Sequence, residues 1–278
     1  MASRTILWGD FVAVLALIQA WVVAIWRKYC RPGAIDIFET GTIEVGYTRF
    51  GPTLGVHGTL RARDRDLFVR SAHVELVKCK DQSRHQFEWG VFRSPRIALG
   101  KPEDLSLELP AGFMVLTSQP HRYSIQLYDL KTQEEMRPVL ERVSRGWTDI
   151  MAEQRATVPS SETTDFAAWF SSVGAMLSIK NQAAFEEFFK TPESTEAFTR
   201  IDRLCYWERG GYGLSLIIRT ARPDRQFRRK WWFTLSESDE KNLHLNSVGV
   251  FRQVCGQPTG QYFFAFARYK EAQDEQGS

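Results

Sequence analysis

The sequence predicts an α+β chain: a single N-terminal transmembrane helix, an antiparallel β-sandwich, then a helical segment and C-terminal strands. Three observations carry that prediction. An apolar run opens the chain at residues 6–26, short runs of period-two alternation fill residues 41–95, and from Met136 the apolar period lengthens to three and four. With 278 residues, 43% of them hydrophobic and 25% charged, the chain can bury one large or two small cores and is not of the disordered class. The net charge of +3 is too small to single out a polyanionic partner. Cys30, Cys79, Cys205 and Cys255 are far apart and form no C-x-x-C. That pattern suggests neither zinc ligation nor a disulfide scaffold, and it reads as scattered thiols in a reducing compartment.

Residues 6–26 read ILWGDFVAVLALIQAWVVAIW, with Asp10 the single charge. As a helix this stretch reaches about 31 Å, near the thickness of a bilayer's hydrocarbon. Ile6, Trp8, Trp21 and Trp26 mark the expected span, with Trp8 and Trp26 as interfacial anchors. Asp10 is close enough to the Trp8 end to reach the headgroups. Arg4 precedes the span, whereas Arg27, Lys28 and Arg31 follow it, which places the bulk of the chain in the cytoplasm. Val22-Val23-Ala24 is a tolerable cleavage site, but the basic pair after Trp26 and the length of the run argue against a cleaved signal. Cys30, just beyond, could be acylated, with an unmodified thiol as the default. Residues 1–33 are thus read as anchor and connector.

Residues 34–130 are read as the sandwich. Ile43, Val45 and Tyr47 share one strand face, as do Ala72, Val74 and Leu76, and Phe87, Trp89 and Val91. Phe50-Gly51-Pro52, Ala62-Arg63-Asp64-Arg65-Asp66 and Asp81-Gln82-Ser83 supply turns between them. The strands expected lie at 34–47, 54–61, 67–79, 86–92, 105–109, 113–117 and 122–130, a number and spacing that fit an immunoglobulin-class sandwich. Gly58-Thr59-Leu60, a charged turn and a long alternating strand through Leu76 resemble the amino-terminal half of arrestin-like sandwiches, over about residues 41–92. The resemblance implies a binding module rather than a catalyst, and it carries over no phosphate-sensing or receptor-binding residue. His57, His73 and Glu75 would suit zinc if their strands were neighbours; two ordinary polar-face histidines are the default, and no metal is expected.

Residues 131–278 form a helical and then mixed segment, which could complete the same domain. Met136, Val139, Leu140, Val143, Trp147, Ile150 and Met151 recur at helical spacing. Thr132-Gln133-Glu134-Glu135 matches a capping box, although Pro138 could move the start. Residues 157–164, TVPSSETT, are linker-like, and Phe166, Trp169, Phe170 and Val173 resume the helical period. Ala184, Phe185, Phe188 and Phe189 repeat it, and Thr191-Pro192-Glu193 opens a helix that Gly210-Gly211 stops. Strands follow at 214–218 and 227–235, a helix is capped by Ser236, and a strand at 262–269 precedes an acidic tail.

No phosphate loop, dinucleotide fingerprint, H-E-x-x-H or G-x-S-x-G occurs, so no catalytic residue and no cofactor is expected. A triad scattered along the chain would leave no such mark. Arg222, Arg225, Arg228, Arg229 and Lys230, beside Trp231 and Trp232, form a basic stretch whose expected roles are a solvated turn or contact with anionic lipid. The function expected is that of a membrane-anchored, cytoplasm-facing protein-interaction or scaffold protein. Its expected partners are the bilayer and an unidentified protein, with no nucleic acid. The alternatives are a tethered enzyme with a dispersed site and an envelope-assembly protein outside the membrane.

Overall fold

Alternation along the strands decides which side chains enter the core, and the pairing of the strands decides what shape encloses it. The structure, a computed structural model, describes residues 8–26, 33–95, 105–156 and 181–271. Helix α1 (Trp8–Ile25) is followed by strands β1 (Ala34–Thr48), β2 (Gly51–Arg63), β3 (Leu67–Lys78), β4 (Arg84–Pro95), β5 (Leu105–Glu108), β6 (Phe113–Val115) and β7 (His121–Tyr128). Then come α2 (Leu130–Ala156), α3 (residues 181–189), α4 (Pro192–Leu204), β8 (Gly210–Thr220), β9 (Arg225–Leu235), α5 (Glu237–Val254) and β10 (Phe264–Glu271).

The strands form one antiparallel sheet that closes on itself. Around the ring the order is β4, β7, β2, β1, β10, β9, β8 and β3, and β3 pairs with β4 to close it. β5 extends the sheet from β4 and β6 from β3. Ile43, Val45 and Tyr47 of β1, Leu54, Val56 and Leu60 of β2, Tyr123, Ile125 and Leu127 of β7, and Leu214, Leu216 and Ile218 of β8 alternate as buried side chains. An eight-stranded barrel is about wide enough for such side chains to fill it.

Helices cover the end at which β1, β7 and β9 finish. Tyr47 donates its hydroxyl to the Ile201 carbonyl of α4. Asn246 of α5 bonds both the N–H and the C=O of Phe263, fixing the entry to β10 at 2.9 and 2.8 Å. Phe251 of α5 lies among Phe185, Phe188, Phe189 and Phe198. Two helix starts follow their sequence signals: Thr191 caps α4 with Pro192 next, and Ser236 and Asp239 form a capping box on α5. The start of α2 does not. It lies at Leu130, capped by Asp129, and Pro138 sits inside the helix.

The architecture corrects the expected sandwich. β10 enters between β1 and β9, and β4 pairs with both β3 and β7, so the sheet has no division into two layers. Period-two alternation reads the same in both architectures, because each buries one face of every strand. The expected transmembrane helix is also corrected. α1 has 18 residues, a length of about 27 Å against the ~30 Å of bilayer hydrocarbon. Among the described residues no helix is long and apolar enough to cross a membrane, so single-pass anchoring and the cytoplasmic orientation built on it are not supported. Of the residues expected to mark the span, Trp8 begins α1, Trp21 and Trp26 are exposed, and Ile6 lies outside the described residues. Cys30, the 157–164 linker, Phe166–Val173 and the tail beyond Glu271 also lie outside them.

A candidate ligand cleft at the seam between β4 and β7

The seam between β4 and β7 is short. Glu88, Trp89, Val91 and Phe92 pair with Tyr128, Leu127, Gln126 and Ile125, with an irregularity at Gly90. A side chain at Gly90 would run into the Tyr128 ring, so this irregularity depends on a glycine. Beyond Phe92, β4 turns its pairing to β5. The first half of β7, His121 to Ser124, stays paired with β2 on its other side, and among the described residues no strand takes the place that β4 leaves. A cleft of about 650 Å³ opens there. That volume suits a small organic ligand.

The inner side of the cleft is aromatic. Phe92 and Phe113 meet edge-on at 5.5 Å, Trp89 contacts both, and His121 stacks on Phe113 at 4.4 Å. Burial lowers the His121 pKa, favouring a neutral imidazole. Among the described residues, the buried His121 Nε2 has no hydrogen-bond partner, and neither does the Trp89 Nε1 behind it. An unsatisfied buried polar atom costs about 1–3 kcal/mol. The outer rim is polar: Thr40, His57, Thr59, Arg122 and Ser124 line it.

Two residues of that rim touch. His57 and Ser124 are directly opposite in the β2–β7 register, and His57 Nδ1 lies 2.8 Å from Ser124 Oγ. The other nitrogen, Nε2, lies 3.7 Å from Glu44 Oε2. Glu44 is opposite Gly55 on the outer face, and a side chain on Gly55 would come within 2.9 Å of the Glu44 Cβ. The bare backbone at Gly55 is what lets the carboxylate lie toward His57.

No protein-family model matches this chain, no curated protein matches it, and no solved structure matches it. Nothing among these comparisons names an arrestin-like fold.

Of the residues singled out in the sequence, His57 lines the cleft, and the basic residues and His73 lie elsewhere. Arg222 is exposed beside Pro223 in the β8–β9 turn, while Arg225, Arg228, Arg229 and Lys230 all lie on β9. Arg225 donates to the Gly33 carbonyl at 3.2 Å, and Arg228 pairs with Glu75 of β3 at 3.0 Å. Arg228 and Lys230 share the outer face of the barrel, and Arg229 points the other way, half-buried. The five charges are therefore divided between a turn and two faces of a strand. His57 and His73 are not neighbours, because β2 is flanked by β1 and β7, and β3 by β4, β6 and β8. Among the described residues no group of three metal-ligating side chains occurs. Cys79 is exposed, while Cys205 and Cys255 are buried free thiols whose pKa values burial raises.

A second polar cluster, at the helix-covered end, is structural. Asp129 accepts from the Thr132 N–H and hydroxyl and from the Tyr206 hydroxyl, and His85 approaches within 3.5 Å while stacking on Tyr206. Burial of Asp129 opposes its ionisation, but the His85, Thr132 and Tyr206 hydrogen bonds outweigh it and hold the carboxyl below its usual range. Asp129 is the cap of α2, and that role accounts for the cluster.

Proposed function

We propose that this chain is a binding protein whose β4–β7 cleft takes a small amphipathic molecule, with an acyl or aromatic body and an anionic or ester head. The observation that carries this reading is a cleft of about 650 Å³ with an aromatic inner side, from Phe92, Phe113 and His121, and a rim that carries Arg122. Phe92, Phe113, Leu109 and Tyr123 offer apolar surface to its body, and Arg122 at the rim offers a cation to its head.

The test is calorimetric titration of the full chain with decanoate and with 4-phenylbutanoate. One saturable site is expected, weakened at least tenfold by Phe113→Ala and by Arg122→Glu. Binding that neither substitution changes, or no saturable binding, overturns the reading.

A further inference from the structure

The rim of the cleft carries more than binding requires. Ser124, His57 and Glu44 come from β7, β2 and β1, three strands adjacent in the ring, and all three side chains lie on the same outer face. A serine hydroxyl becomes a useful nucleophile when a base within about 2.6–3.2 Å can take its proton. His57 Nδ1, at 2.8 Å from Ser124 Oγ, meets that distance. The base must present a lone pair at that nitrogen, so the ring proton must sit on the other one. Glu44, 7% exposed, has a carboxylate oxygen 3.7 Å from Nε2, and its charge favours the proton there. Arg122 lies two residues from Ser124 on the same face of β7 and lines the same cleft, so it can face charge developing on a bound carbonyl oxygen.

Touching side chains are the ordinary outcome for a directly opposed cross-strand pair, and His57 and Ser124 alone would mean little. What goes beyond that is the third member. Glu44 is opposite Gly55, not His57, and its carboxylate reaches the histidine because residue 55 has no side chain.

We propose that Ser124 is a nucleophile for acyl transfer, with His57 as its base and Glu44 as the residue that positions His57, acting on carboxylic esters of the amphipathic class bound in the cleft. The substrate class rests on the binding reading above. Ser124 Oγ attacks the acyl carbon while its proton passes to His57 Nδ1. The ester C–O bond breaks, the leaving oxygen takes that proton, and an alcohol departs from the acylated serine. Water then attacks the acyl-serine, again giving a proton to His57. The serine oxygen recovers it as the acid is released. No oxidant, metal or other co-reactant enters the balance.

The full chain is treated with an alkyl fluorophosphonate and, separately, with 4-nitrophenyl decanoate; adducts are located by peptide mass mapping and nitrophenol release is timed. The expected result is a phosphonyl adduct on Ser124 and ester turnover that falls at least a hundredfold in Ser124→Ala and in His57→Ala. Glu44→Gln is expected to slow turnover at least tenfold and to displace the alkaline-rising limb of its pH profile, which a purely structural substitution leaves in place. Urea midpoints of the variants within the range of the wild type show that the fold survives. An unlabelled Ser124, or turnover that Ser124→Ala leaves intact, overturns the proposal. Saturable decanoate binding with Ser124 unlabelled sinks the nucleophile and keeps the binding site. Labelling of Ser124 without decanoate binding does the reverse.

Discussion

The Trp207 indole donates through Nε1 to the carbonyl of Gly46, 2.9 Å away and entirely shielded from water. It joins the segment leaving α4 to the last residues of β1, so it ties the helical cover to the barrel wall. Trp207→Phe keeps most of the ring volume but leaves that carbonyl without its donor. The expected cost is about 1–3 kcal/mol, read as a lower urea midpoint with an unchanged slope.

Phe251 is the ring on which the helical cover converges. Phe185 and Phe188 stand 6.2 and 6.1 Å from it, Phe189 meets it edge-on at 5.1 Å, and it is itself fully buried. Phe251→Ala is expected to lower stability by about 3–5 kcal/mol, the range for a large aromatic lost from a packed core. Thermal and urea denaturation check this. A loss below 1 kcal/mol would show that the cover packs some other way.

Asp129 makes stability fall in acid. Its folded pKa lies below the ordinary carboxylate value of about 3.9, so its contribution is complete above that value and disappears as pH falls through the folded pKa. Asp129→Asn puts an amide N–H₂ where a carboxylate oxygen accepts from Thr132 or Tyr206, and it is expected to cost about 1–3 kcal/mol at pH 7. The difference between the two proteins should shrink between pH 4 and pH 2, measured as urea midpoints on both.

His121 acts at milder pH. Burial lowers its folded pKa, so the unfolded chain binds the proton more readily. Stability from this group is complete above the ordinary histidine value of about 6.5 and is lost as pH falls from there through the folded pKa. His121→Phe keeps the stacking on Phe113 and removes the titration. Its stability is therefore expected to vary less than that of the wild type between pH 7 and pH 5. His73, also lowered chiefly by burial, leaves a residual slope in both proteins.

Much of the local structure was legible in the sequence. The alternation of Ile43, Val45 and Tyr47 or of Leu214, Leu216 and Ile218 gave strands close to where they are, and Thr191-Pro192 and Ser236 marked two helix starts. The closure was not legible, because it depends on which strands meet, and β1 finds β10 more than two hundred residues away. The site was hidden for a related reason. Glu44, His57 and Ser124 lie on three different strands and share no local motif, and their meeting follows from pairing register alone. Gly55 was the available signal, a glycine inside a strand, which often marks a close approach by another group. The basic residues from Arg225 to Lys230, read in sequence as the tip of a turn, lie on β9, where Arg228 and Lys230 face outward and Arg229 does not.

β4 holds three neighbours in turn: β3 along its first half, then β7, then β5. It is the clasp of a bracelet. Without it the circle opens into a ribbon of strands whose ends, β3 and β7, no longer touch. Because side chains alternate along it, inserting one residue between Arg84 and Phe87 would turn Phe87 and Trp89 outward. The bracelet's circumference and the width of the opening beside the clasp are thus set together, by the nine residues from Arg84 to Phe92.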